Sequence, residues 1–155
     1  VIASILFVVA GIIGSIALGW WQTESNKIPQ KLETTAVAGE ETAYDPADIR
    51  GSYTLSEISN LFEIPLEELA EAFKIDQGKA AGFKVKELET IYADKDSEIG
   101  TSSMRLFVAW YKGLPYVMKE DSFLPAPAAE ILREKANLTP EQEEYLNMHT
   151  LAAAE

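Results

Sequence analysis

Residues 51–75 read GSYTLSEISNLFEIPLEELAEAFKI, and this stretch decides the fold class. Thr54 and Glu57 form a T-x-x-E capping box, in which each side chain satisfies a backbone donor that a helix start leaves free. Leu55, Ile58, Leu61 and Phe62 follow at helical spacing. Pro65 interrupts the run after Ile64 and suits the first turn of a second helix. Leu66, Leu69, Ala70 and Phe73 line the inner face of that helix, with Glu67, Glu68 and Glu71 on its outer face. The segment therefore predicts a compact helix–turn–helix pair.

Helical signals continue towards the C-terminus. Lys84–Tyr92 predicts a short amphipathic piece, and Asp94–Gly100 a polar turn. Met104–Tyr111 (MRLFVAWY) is the most apolar stretch of the domain, with Thr101 or Ser102 able to cap a helix there. Phe107, Val108, Trp110 and Tyr111 also have high strand propensity, so a strand stays open although a helix is preferred. As a helix, the stretch places Leu106, Val108, Ala109 and Trp110 in or near the core. Gly113-Leu114-Pro115 stops it, and Leu124-Pro125-Ala126-Pro127 is a stiff connector, with Pro127 in the first turn of a helix over Ala128–Lys135. Thr139-Pro140-Glu141-Gln142 is a further capping box, opening a last helix from Pro140 to about Leu151.

In the other direction, Tyr44-Asp45-Pro46-Ala47-Asp48 begins the ordered region, with Asp45 and Pro46 as an N-cap and N1 pair. Gln22–Asp45 is rich in Thr, Glu, Ala, Ser and Gly without sustained periodicity, and reads as an extended tether over the membrane or a partner. Before it lies VIASILFVVAGIIGSIALGWW, Val1–Trp21, with no ionisable side chain. As a helix it is about 30 Å long, enough to cross a hydrocarbon core of roughly 30 Å. Trp20 and Trp21 stand where aromatic side chains mark the headgroup boundary. Gly11, Ser15 and Gly19 recur every fourth residue, a small-residue ridge against which another membrane helix can pack closely. The apolar run exceeds a signal-peptide core, so an uncleaved anchor is expected. The fold expectation is mostly α: one transmembrane helix (1–21), a tether (22–45), and a small helical domain with proline-rich joints (46–151).

Composition narrows the function. Acidic residues outnumber basic ones by 25 to 13, a formal net charge of -12 that falls entirely after Trp21. Such a domain repels phosphate backbones, and Glu67, Glu68 and Glu71 stand where a DNA-reading helix needs Arg, Lys, Asn or Gln. Nucleic acid is not an expected partner. The chain has no cysteine, which excludes disulfides, thiolate metal sites, cysteine-ligated iron–sulfur clusters and covalently attached haem. His149 is the only imidazole, so no nucleophile–base–orienter set can be assembled, and no catalytic, cofactor or metal site is expected. Asp94, Asp96 and Glu98 alternate like a calcium loop, but Ile99 and Arg105 occupy the positions that need Gly and a bidentate Glu. Met148 and His149, adjacent on a helix, point about 100° apart and do not grip one ion together. A surface histidine is the expectation.

Two resemblances follow from the residues. The stretch SYTLSEISNLFEIPLEELAEAF looks like the helical part of a LysM cell-wall-binding module, without the usual Gly-Asp ahead of its first helix or Asn after its second. Over most of the chain, about Trp20 to Leu146, the sequence resembles an acidic extracytoplasmic region. In anaerobic bacteria that region follows the last membrane helix of polyferredoxin-like and b-type-cytochrome-like membrane proteins. The specific segments are Asp45-Pro46-Ala47-Asp48-Ile49-Arg50-Gly51 and Arg105-Leu106-Phe107-Val108. This resemblance implies membrane electron transfer. Because the chain lacks cysteine clusters and helix histidines, the resemblance implies that haem or iron–sulfur centres sit in partner subunits or in a part of the protein outside this sequence. The expectation is thus a non-catalytic single-span accessory subunit in the bacterial cytoplasmic membrane, with its domain on the extracytoplasmic face. The alternative is an anchored LysM-like cell-envelope module. Phe62, Phe73, Trp110 and Tyr116 are the candidate partner-docking aromatics, left open between core and surface.

Overall fold

The computed structural model describes residues 28–32, 43–93 and 99–151, and over these the chain is mostly helical. Six α-helices run in order: α1 Leu55–Phe62, α2 Leu66–Ala72, α3 Leu88–Ile91, α4 Thr101–Lys112, α5 Ala126–Lys135 and α6 Pro140–Met148. Short 3-10 turns occupy Pro46–Asp48, Ala80–Gly82 and Val85–Glu87. Two-residue strands β1 (Leu124–Pro125) and β2 (Thr150–Leu151) pair in parallel.

Local chemistry starts several of these elements as the residues predict. Asp45 Oδ1 accepts the Ala47 amide at 2.8 Å ahead of the turn that Pro46 opens. At α1, Thr54 Oγ1 accepts the Glu57 amide at 3.2 Å while Glu57 Oε2 accepts the Thr54 amide at 2.8 Å. Thr139 and Gln142 repeat the exchange at α6. Each such cap is worth about 1 kcal/mol of helix stability. Pro65 sits at the N-cap of α2, its carbonyl accepting the Glu68 and Leu69 amides. Gly113 ends α4 in the left-handed region at φ 64°, a conformation that costs a glycine little.

The helix α4 is the axis of the core. Ser103, Met104 and every residue from Leu106 to Trp110 are buried, so the helix is covered on nearly all sides. The strand alternative for Met104–Tyr111 does not form, because the whole stretch lies within this helix. Phe107 packs edge-to-face on Phe73 of the segment after α2, with ring centroids 5.6 Å apart. Leu55, Ile58 and Phe62 from α1, Leu69 and Ala70 from α2, and Ala128, Ile131 and Leu132 from α5 close the same core. Burial of each large aliphatic or aromatic side chain contributes roughly 1.5–3 kcal/mol, which is what holds such short helices together.

Several boundaries differ from the sequence reading. Neither Thr101 nor Ser102 caps α4; Gly100 is the N-cap, and the buried Ser103 Oγ accepts the Gly100 amide at 3.2 Å. Helix α5 begins at Ala126, so Pro127 still falls in its first turn. Helix α6 ends at Met148 instead of reaching Leu151, because Thr150 and Leu151 leave the helix to pair with Leu124 and Pro125. The tether is not wholly free of the domain. Pro29 is buried, Lys31 and Tyr44 form an antiparallel bridge, and the Gln30 amide donates to Asp48 Oδ2 at 2.8 Å.

Among the described residues no helix is long and apolar enough to cross a membrane. The segment Val1–Trp21, with Gly11, Ser15, Gly19, Trp20 and Trp21, lies outside the described residues, as do Asp94, Asp96 and Glu98.

Candidate functional site

A polar cleft of about 420 Å³ opens at the N-terminal end of α4. One wall is the turn after Pro46–Asp48, which contributes Arg50 and Gly51. The floor is the start of α4, with Thr101, Ser102 and Arg105. Glu89 of α3 and Glu120 and Asp121 of the Gly113–Ser122 segment complete the rim. A smaller hollow of about 50 Å³ continues from it past Ala47, Tyr116, Val117 and Lys119.

Arg105 joins two of these walls. It is the half-buried position in the otherwise buried Ser103–Trp110 run, and its Nε donates to the Ile49 carbonyl at 2.8 Å. That bond ties α4 to the turn 56 residues earlier. Gly51 lets the walls approach, since a Cβ there would stand 3.0 Å from Lys86 Cβ and 3.2 Å from Thr101 Oγ1. On the rim, Ser102 Oγ donates to Glu120 Oε1 at 3.2 Å. Burial pushes the Tyr116 phenol above its ordinary range; Arg105 opposes this, and Glu120, Tyr145 and Asp45 add to it. The cleft therefore sets two guanidiniums and two hydroxyls beside three carboxylates. It can make many directional hydrogen bonds with a polar partner surface but offers little apolar area.

The chain matches no protein-family model, no curated protein and no solved structure.

Among the docking candidates, Phe62, Phe73 and Trp110 are core residues, exposed by 3%, 0% and 8%. They are spent on packing: Phe62 meets Tyr44 edge-to-face, Phe73 meets Phe107, and Trp110 meets Tyr145. Tyr116 alone of the four stays at the surface, half-buried beside the cleft. His149 is not a freely exposed histidine. It stacks on Tyr145 with centroids 3.9 Å apart and planes 4° apart, and its Nδ1 lies 3.0 Å from the Tyr145 carbonyl. Among the described residues no group of His, Asp and Glu is arranged to hold a metal ion.

Glu68 also departs from the expected solvated face of α2. It accepts the Tyr111 hydroxyl at 2.6 Å and pairs with Lys135, linking α2, α4 and α5. Burial pushes its carboxyl up, but the hydrogen bonds from Lys135 and Tyr111 outweigh this and hold it below the ordinary value. Burial, followed by the carboxylate of Glu68, pushes the Tyr111 phenol up to about 12.

Sequence reasoning missed Arg50, Glu89, Glu120 and Asp121 as members of one site. The signal that was available is the pair of segments Asp45–Gly51 and Arg105–Val108. They are 54 residues apart in sequence, from Gly51 to Arg105, and meet at the Arg105–Ile49 hydrogen bond.

Proposed function

We propose that this chain is a non-catalytic, single-span accessory subunit of a bacterial membrane electron-transfer complex. Val1–Trp21 anchors it through the Gly11, Ser15 and Gly19 ridge, and its acidic domain caps partner subunits on the extracytoplasmic face. Those partners carry the haem or iron–sulfur centres. One observation carries the reading: the two segments that bear the resemblance to the membrane redox proteins converge on a single polar cleft, with Arg50, Gly51 and Arg105 in its walls. A rim of paired charges and hydroxyls suits the wet, hydrogen-bonded periphery of a protein–protein contact. The test is the native mass of the chain extracted from its own membranes in mild detergent. The expected result is a particle well above 17.1 kDa that contains companion proteins. A solitary chain in an otherwise intact extract would contradict the proposal.

A second reading, the anchored cell-envelope module, is favoured by one specific feature. Extended segments on either side of the α1–α2 pair bond to each other: the Leu55 amide to the Phe83 carbonyl, and the Val85 amide to the Tyr53 carbonyl, each at 2.9 Å. The pair is thus bracketed by a short antiparallel bridge, while its inner face shares the core with α4 and α5. Retention on isolated cell wall tests this reading, and passage of the intact chain through such a column would dispose of it.

A further inference from the structure

The way the chain enters the domain says which end of it faces the lipid. Residues 30–32 are already bonded to the domain: the Leu32 amide donates to the Ala43 carbonyl and the Asp45 amide to the Gln30 carbonyl, both at 2.8 Å. Seven residue steps separate Trp21 from Ile28. Fully extended, they reach about 25 Å. A domain of about 110 residues has a radius of gyration near 13 Å and is roughly 35 Å across. The connection is therefore shorter than the domain is wide, which keeps the end where Ile28 enters within about 25 Å of the anchor.

That same end carries exposed apolar side chains. Ile28 is 62% exposed, and Val117, at 85%, is the most exposed large hydrophobic residue among those described. The two belong to one end because Gln30 is bonded to Asp48, and Ala47 lines a hollow with Val117. The charge pattern agrees. Among the described residues around this end, Lys31, Arg50, Arg105 and Lys119 stand against Asp45, Asp48, Glu120 and Asp121, an even balance. An electrically balanced face meets a lipid surface with far less repulsion than the rest of the domain would.

We infer that the end of the domain bearing Ile28 and Val117 rests on the bilayer, with both side chains in the headgroup layer. This inference rests on the anchor reading, which it extends. The contact fixes the cleft beside the membrane surface, where a membrane-embedded partner would meet it.

The chain has no cysteine, so single labels can be placed cleanly. Ile28→Cys, Val117→Cys and, as the comparison, Glu71→Cys on the exposed face of α2 are each labelled with a fluorophore in the full chain. The labelled chains are reconstituted into phosphatidylcholine vesicles containing a headgroup-nitroxide lipid. The chain is expected to float with the vesicles and resist alkaline extraction. Quenching at 28 and 117 should exceed that at 71 about threefold or more, as a position within the headgroup layer requires. If the chain floats but all three labels are quenched alike, the lipid contact is overturned while the anchor stands. If the chain stays in the aqueous phase, the anchor fails and the contact fails with it.

Discussion

Replacing Arg105 with Ala removes a side-chain bond that ties the start of α4 to the Pro46–Asp48 turn. Its Nε donates to the Ile49 carbonyl at 2.8 Å, and Ile49 is fully buried. The substitution leaves that carbonyl short of a charged donor, which costs about 1–3 kcal/mol. The lost packing of the long side-chain stem adds to the cost. Taking about 2 kcal/mol and a urea m-value of about 1.5 kcal/mol/M for a domain of this size, the midpoint should fall by about 1.3 M. Arg105→Lys should recover only part of the loss, because an ammonium lacks the side-facing Nε–H that the geometry uses. The assay is urea unfolding of the full chain in detergent, followed by far-ultraviolet circular dichroism. Amide exchange at residues 47–51 gives a local reading and should accelerate more than exchange within α1. A change below about 0.5 kcal/mol, the range of an ordinary surface substitution, would refute the structural role given to Arg105.

Other expectations follow from the same contacts. Phe107→Ala should destabilise the domain by about 3–5 kcal/mol, measured by the same urea midpoint, because the ring is fully buried against Phe73 and Tyr111. Thr54→Ala should cost about 0.5–2 kcal/mol, with Thr54→Ser nearly neutral, since only the hydroxyl serves the cap. The pH dependence has a definite sign at both ends. The Glu68 carboxyl is held low in the folded chain, so its contribution is present above the ordinary carboxylate range and is lost as pH falls through its lowered value; Glu68→Gln should flatten the acid limb of stability against pH. The Tyr111 phenol is raised from 10.0 to about 12, so its contribution is complete below pH 10 and is lost as pH rises towards 12; Tyr111→Phe should flatten that alkaline limb.

What could be read from the residues was what depends on near neighbours. The Thr54–Glu57 and Thr139–Gln142 exchanges each span three residues, and Asp45 ahead of Pro46 acts on a turn it immediately precedes. The helix over Met104–Tyr111, favoured by the stop at Gly113–Pro115, is covered by its neighbours on nearly all sides, with Arg105 and Tyr111 half-buried. The readings that missed were those decided at a distance. Helix α6 stops at Met148 because β2 finds β1, 26 residues earlier at each pair. Glu68 looks like any solvated helix carboxylate until α4 and α5 bring Tyr111 and Lys135 to it. Phe62, Phe73 and Trp110, which composition leaves open between core and docking surface, have the burial of a core. The cleft was out of reach for the same reason. Its walls come from four separate stretches, around residues 50, 89, 101–105 and 120, and no periodicity within any one of them signals the others.

The central claim is membership of a membrane electron-transfer complex. It is tested most directly by purifying the complex from native membranes through this chain, then recording its subunit masses and its absorption spectrum before and after reduction. The account predicts co-purifying subunits with haem or iron–sulfur bands that change on reduction. A colourless preparation containing this chain alone would contradict it.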